Sequence, residues 1–225
     1  MGLAIITGGS SGLGFEISKL LRKRDIDICI VGRNENKLKT CLEILESING
    51  SGTVQYHRMD ISSETQVRNF GETFVNGDLS IDYLFNVAGV GKFGSPVQLK
   101  KETIDEVLAS NLIGMMLLTG ELLSHMEYHG GRIINVLSTA ARVGKANEAL
   151  YCASKWGARG YTESLKQYYK NSNIKVTAVY PGGMDTPFWE GQEVNEYMNP
   201  GEVATQIVES VCNELYVSEL VIERH

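Results

Sequence analysis

The chain has 225 residues, 43% hydrophobic and 21% charged, with a formal net charge of -6, which is enough apolar material for one buried core and excludes the basic footprint of nucleic-acid binding. Its 4 cysteines, Cys29, Cys41, Cys152 and Cys212, and its 4 histidines are scattered without a C-x-x-C pair, which argues against a metal site and reads as free thiols. On this reading no apolar run is long enough to cross a bilayer and there is no room for a leader, so a cytoplasmic protein without membrane or nucleic-acid partners is expected.

In chain order, the β-branched apolar run Leu3–Thr7 predicts a strand. Gly8-Gly9-Ser10-Ser11-Gly12-Leu13-Gly14 follows, and then Phe15, Ile17, Leu20 and Leu21 recur at helical spacing. Strand, glycine turn, helix is the order in which backbone N–H groups at a helix start meet a pyrophosphate. Gly8, Ser10, Ser11, Gly12, Leu13 and Gly14 are therefore candidate cofactor contacts. The spacing T-G-x-x-x-G-x-G carries no P-loop lysine, which favours a dinucleotide over a nucleoside triphosphate.

A second strand is expected over 26–31, ending in Gly32-Arg33-Asn34. An acid there would bind a ribose 2′-hydroxyl, whereas arginine accommodates a 2′-phosphate. Asp27, the nearest acid, stands at the wrong end of the strand, so Arg33, with Asn34 beside it, favours NADP over NAD. A helix over 35–48 and a third strand over 53–59 lead to Asp60-Ile61-Ser62. Asp60 is read either as a turn former or, with Ile61, as a contact to adenine. Ser62 or Ser63 reads as the N-cap of the next helix, with Glu64 in its first turn.

A fourth strand over 81–86 is followed by Val87, Ala88 and Gly89, small enough for a ligand to come close, while Asn86 can tie neighbouring strands. One long apolar helix is expected over 103–127, with Asn111 near its middle either satisfying a backbone carbonyl or holding a water near the active centre. A fifth strand over 132–137 delivers Ser138 at its carboxyl end. The helix expected over 149–169 carries Tyr151 and Lys155 on one face, where an ammonium can bring a phenol towards the working pH of a general acid or base. A sixth strand over 174–180 leads into Pro181-Gly182-Gly183-Met184-Asp185-Thr186-Pro187; Asn199, Pro200 and Glu202 start a last helix, and 220–223 reads as a seventh strand. Strands alternate with helices and composition does not shift, so 1–225 is read as a single α/β domain, one parallel sheet covered on both faces.

Together, Thr7-Gly8-x-x-x-Gly12-x-Gly14, Asn86-Val87-Ala88-Gly89, Asn111, Ser138, Tyr151-x-x-x-Lys155 and Pro181-Gly182 resemble the short-chain dehydrogenase/reductase family, in its ordinary short form, over nearly the whole chain. The resemblance implies a single-domain Rossmann-type, doubly wound parallel sheet of seven strands, order 3-2-1-4-5-6-7, and nicotinamide-dependent hydride transfer between a carbonyl and an alcohol. It implies Tyr151 as general acid and base, Lys155 as the group that lowers its pKa and holds the nicotinamide ribose, Ser138 as the donor that orients the carbonyl, and Asn111 as the holder of a relay water. By the same matching Asp60 faces adenine, Asn86, Ala88 and Gly89 line the cofactor, and Pro181, Gly182, Met184 and Thr186 meet it beyond the sixth strand. Val87 departs from the family's usual second Asn, and Ser11 stands where many NADP-preferring members carry a basic residue, so the NADP reading rests on Arg33.

For the substrate, a small carbonyl or alcohol, the candidate wall is Ser138, Phe93, Ala140, Phe188 and Trp189 under a short cover at about 186–200. The leading expectation is an NADPH-dependent carbonyl reductase; an NAD-dependent alcohol dehydrogenase and a catalytically silent NADP(H)-binding regulator or scaffold are the alternatives. The resemblance also implies a homodimer or homotetramer, formed through the helices at 103–127 and 149–169.

Overall fold

A strand buried on both faces must be apolar at every position, and Leu3–Thr7 (β1) is buried throughout. The structure, a computed structural model, describes residues 2–75, 80–189 and 196–224. The strands that follow are Asp27–Gly32 (β2), Val54–Arg58 (β3), Ile81–Asn86 (β4), Gly131–Val136 (β5), Ile174–Pro181 (β6) and Glu219–Ile222 (β7). They form one 7-stranded sheet in the order β3-β2-β1-β4-β5-β6-β7, every pairing parallel, as the resemblance implied. Ile5 stands opposite Cys29 on one side and Leu84 on the other, which fixes the central register.

Parallel strands need crossovers, and the helices supply them: Gly12–Arg22 (α1), Glu35–Ser47 (α2), Glu64–Val75 (α3), Lys101–Leu108 (α4), Gly114–His129 (α5), Ala149–Tyr168 (α6) and Pro200–Val211 (α7). Side chains alternate along β1, so Ala4 and Ile6 meet Ile17, Leu21, Leu38 and Ile207 on one face, while Leu3 and Ile5 meet Phe70, Leu118, Leu122 and Met126 on the other. Each such fully buried side chain contributes about 1.5–3 kcal/mol. The Asn34 carboxamide accepts from Lys37 N–H at 3.0 Å and caps α2, and Asn199 caps α7 by accepting from Gly201 N–H at 2.7 Å with Pro200 at the first position.

Two expectations are corrected. The long helix expected over 103–127 is three pieces, since a π-helical turn at Ala109–Ile113 separates α4 from α5. The stretch Lys101–His129 also contains an 18-residue window, of mean hydropathy 1.5, that is by length and composition apolar enough to span a bilayer. In the fold its Met115, Leu118, Leu122 and Met126 are buried in protein, Leu118, Leu122 and Met126 against Leu3, Ile5 and Phe70. Of the cover expected over 186–200, residues 190–195 lie outside the described residues; the described part holds a 3-10 turn at Pro187–Trp189 and a bridge between Met184 and Met198.

Candidate active site

The carboxyl ends of β1, β4, β5 and β6 open on a cavity of about 680 Å³. Thr7 sets its floor: the hydroxyl donates to the Phe85 carbonyl at 3.3 Å and accepts from the N–H groups of Val87 and Ala88 at 3.0 and 3.1 Å, locking the glycine turn beside the loop after β4. Two glycines allow α1 to start there. A Cβ on Gly14 would stand 2.4 Å from the Gly8 carbonyl oxygen, and Gly12 has φ +49°, so side chains are excluded from both. Ser11 occupies the N-cap position without a side-chain bond, and the first turn of α1 carries no acid. The positive end of this helix is therefore presented by bare N–H groups, and Gly8, Ser11, Gly12, Leu13 and Gly14 all line the cavity. An uncapped helix start over glycine backbone, in a cavity this size, fits a dinucleotide diphosphate.

Ala88, Gly89, Pro181, Gly182, Met184 and Thr186 line the same cavity, and so do Ser138, Tyr151, Lys155, Phe188, Trp189 and Arg33. Ser138, Tyr151 and Lys155 are 8%, 7% and 5% exposed. The Ser138 hydroxyl oxygen accepts from Ala140 N–H at 3.1 Å, which leaves its own hydrogen free to donate. Burial pushes the Tyr151 phenol well above its usual value; the Ser138 hydroxyl acts in the opposite sense and the nearby Glu148 adds to the rise. Burial also lowers the Lys155 ammonium to about 8. Lys155 Nζ donates to the Val136 carbonyl at 3.1 Å and lies 5.8 Å from the centroid of the Tyr151 ring. The expected lowering of the phenol by Lys155 is thus not the arrangement found: desolvation dominates, and at neutral pH the site holds a protonated phenol beside a charged amine.

Asn111 sits in the π-helical turn, buried, and explains it. Its carboxamide accepts from Val90 N–H at 2.7 Å and donates to the Val90 carbonyl at 2.9 Å and to Ser154 Oγ at 3.0 Å. Both amide hydrogens are used, so of its two sequence readings the side chain takes the backbone one, clamping the loop after β4 to the helix that carries Tyr151.

Several expected contacts do not line the cavity. Asn34 is spent on capping α2. The Ser10 carbonyl accepts from Cys41 Sγ at 3.4 Å, and its hydroxyl lies beside Gly32. Asp60 Oδ1 accepts from both the N–H and the hydroxyl of Ser62, at 2.9 and 2.7 Å; burial raises its carboxyl, and those bonds together with Arg33 more than offset the rise. Ile61 is core, pressed on Gly114. Asn86 is 5% exposed and ties β4 to β5 and α5 through Asn135 at 2.9 Å and Thr119 at 3.0 Å. Ala140 is fully buried behind Ser138. Phe93 stacks on Trp189 at 4.7 Å and meets the Tyr151 ring edge-on at 5.6 Å, but opens on a separate cavity of about 150 Å³. Sequence reasoning missed charged groups that do line the main cavity, Lys37, Glu106 and Glu148 among them. For Lys37 and Glu148 the signal was spacing alone: Lys37 falls in the first turn after the Arg33 loop, and Glu148 stands three residues before Tyr151.

Residues 2–197 match the model of the short chain dehydrogenase family. The chain is 33% identical over 189 residues to carbonyl reductase family member 4 of Danio rerio, covering 84% of this chain and 78% of that protein. A short-chain dehydrogenase/reductase of Vibrio parahaemolyticus is 32% identical, and its crystal structure agrees with a TM-score of 0.86 over 99% of this chain and 100% of that one. The crystal structure of an actinorhodin polyketide ketoreductase variant with NADPH is 26% identical, with a TM-score of 0.88 over 98% and 95%. The family match runs from β1 past β6 and so takes in every residue of the geometry above; the chain belongs to the short-chain dehydrogenase/reductase family, as an oxidoreductase.

Proposed function

We propose that this protein is an NADPH-dependent carbonyl reductase in which Tyr151 is the general acid. The observation that carries the reading is a buried, protonated phenol hydrogen-bonded to the Ser138 hydroxyl, in one cavity with a glycine loop suited to a diphosphate. A bound dinucleotide supplies the hydride. Tyr151 gives its phenolic proton to the substrate oxygen while Ser138 donates a hydrogen bond to it as negative charge develops there. Lys155, charged at neutral pH with a pKa near 8, offsets the phenolate that remains and reaches the ribose hydroxyls.

For the cofactor, Arg33 and Lys37 both line the cavity, and the acid nearest them, Asp60, is committed to Ser62. Two cations at this end of the cavity favour a 2′-phosphate, in keeping with the NADPH of the ketoreductase relative. The substrate is a small carbonyl compound facing Phe188 and Trp189, the protein acts in the cytoplasm, and it assembles as a homodimer or homotetramer through the apolar residues exposed on α5 and α6, Met116 and Trp156 among them.

Tyr151→Phe tests the assignment. NADPH binding, followed by fluorescence, is expected to persist while turnover over a carbonyl panel falls by about 10²–10⁴. Equal turnover by the variant on a carbonyl that the parent reduces would sink the role of Tyr151, and no turnover by the parent on any of them would favour a silent binding protein.

A further inference from the structure

Between the loop after β4 and the loop before α6 lies the second cavity of about 150 Å³, with Phe93 in its wall and the Phe93 ring packed edge-on against Tyr151 at 5.6 Å. Lys92 lines both this cavity and the main one, so the two adjoin. The Gly94 N–H donates to the Asn147 carbonyl at 2.7 Å and holds the two loops together.

The lining has the chemistry of an anion site. Besides Lys92 it contains Ser95, Gln98, Thr103 and Asn147, all of which carry hydrogen-bond donors, and no carboxylate. Ser95 Oγ accepts from Val97 N–H at 3.4 Å and keeps its own hydrogen free. Among the described residues the side chains of Gln98, Thr103 and Asn147 have no hydrogen-bond partner. Thr103 lies in the first turn of α4, and Ala149 and Leu150 open α6; neither helix start carries a side-chain cap, so backbone N–H groups without a helical partner border the cavity as well. The opposing charge is Glu106, which meets Lys92 at 3.5 Å with both side chains about half exposed. That is longer than a close charge-assisted bond, and the ammonium can turn to a nearer anion.

We propose that this second cavity is the subsite for a carboxylate at the far end of the substrate, so that the protein reduces oxo acids whose carbonyl stands at Tyr151 and whose carboxylate is held by Lys92. The proposal rests on the carbonyl-reductase reading above and narrows its substrate class. At roughly 30 Å³ for each water-sized group, the cavity seats a carboxylate and the methylene groups nearest it. The rest of the chain passes Phe93, an apolar ring that suits methylene groups.

The test compares 6-oxoheptanoate and 7-oxooctanoate with their primary amides, which match them in length and shape without the charge, and with 2-octanone. Each is assayed for kcat/KM in the parent, in Lys92→Met and in the double variant Gln98→Leu/Thr103→Val. The readout is the ratio of each acid to its amide, in which a general effect on Tyr151 cancels. The parent is expected to favour the better acid by at least roughly 10-fold, the range of a hydrogen bond to a charged group. Lys92→Met brings that ratio to about one or below, since Glu106 is left unpaired, and the double variant, which changes no charge, lowers it roughly 2- to 10-fold. The proposal is overturned if the parent reduces acid and amide alike, or if either variant keeps the parent's ratio, which would put the carboxylate elsewhere. Reduction of 2-octanone but of neither acid overturns it too and leaves the reductase reading in place. No turnover of any of these compounds with NADPH or NADH sinks the reductase reading and this proposal with it.

Discussion

Lys155→Met should inactivate the protein and stabilise it. Burial lowers the ammonium from 10.5 to about 8, so at neutral pH the folded chain holds a charge that it solvates poorly. At roughly 1.4 kcal/mol per unit, that difference costs about 3 kcal/mol. Methionine fills a similar volume without the charge, and the change gives up the bond to the Val136 carbonyl, worth about 1–2 kcal/mol. The net expectation is a gain of about 1–2 kcal/mol at pH 7, seen as a higher urea midpoint in the absence of nucleotide. The pH dependence separates this cause from better packing. Because the folded value lies below the unfolded one, the unfolded chain binds the extra proton between pH 8 and 10.5, and the parent gains stability as pH rises through that window. The cost is present in full below about pH 8 and gone above about 10.5, so the advantage of the variant should shrink by about 2 kcal/mol between pH 7 and pH 10. A variant less stable than the parent at pH 7, or a difference equal at both pH values, would refute the reasoning.

Arg33→Gln removes one of the two cations that line the cavity near the end of β2 and is expected to weaken NADPH binding by roughly 10- to 100-fold while leaving NADH binding within a few-fold. Titration of both nucleotides checks it, and an unchanged NADPH to NADH ratio counts against the 2′-phosphate argument. Asn111→Ala strips partners from both backbone groups of Val90 and from Ser154 Oγ, so it should cost about 2–4 kcal/mol in urea unfolding. A cost below about 1 kcal/mol would mean that the clamp is replaced by water.

The sheet was legible because most strands are short runs rich in apolar residues bounded by turn-forming residues, so β1, β4 and β6 fall within a residue of where the runs place them. Tyr151 and Lys155 share a face of α6 for the equally local reason that helical spacing requires it. What the sequence left open depends on partners distant along the chain. Asn111 breaks the regular helix because Val90, 21 residues away, takes its amide, and no periodicity within the helix carries that information. Asp60 shows the local case: the serine two residues on was visible, and Asp60 Oδ1 forms the Asx turn with it.

The site's charge states were the least legible feature, because they follow from burial. A Tyr-x-x-x-Lys pair read on a helix surface predicts an ammonium that eases ionisation of the phenol. Enclosed beneath Phe93 and Phe188, the same pair behaves in the opposite sense, with the phenol held protonated and the amine drawn down towards neutrality. The enclosure that costs stability at Lys155 is thus what keeps a proton on Tyr151 for transfer. If that trade is how the site works, the gain in stability from removing Lys155 and the loss of turnover from removing the Tyr151 hydroxyl are two readings of one desolvated pocket.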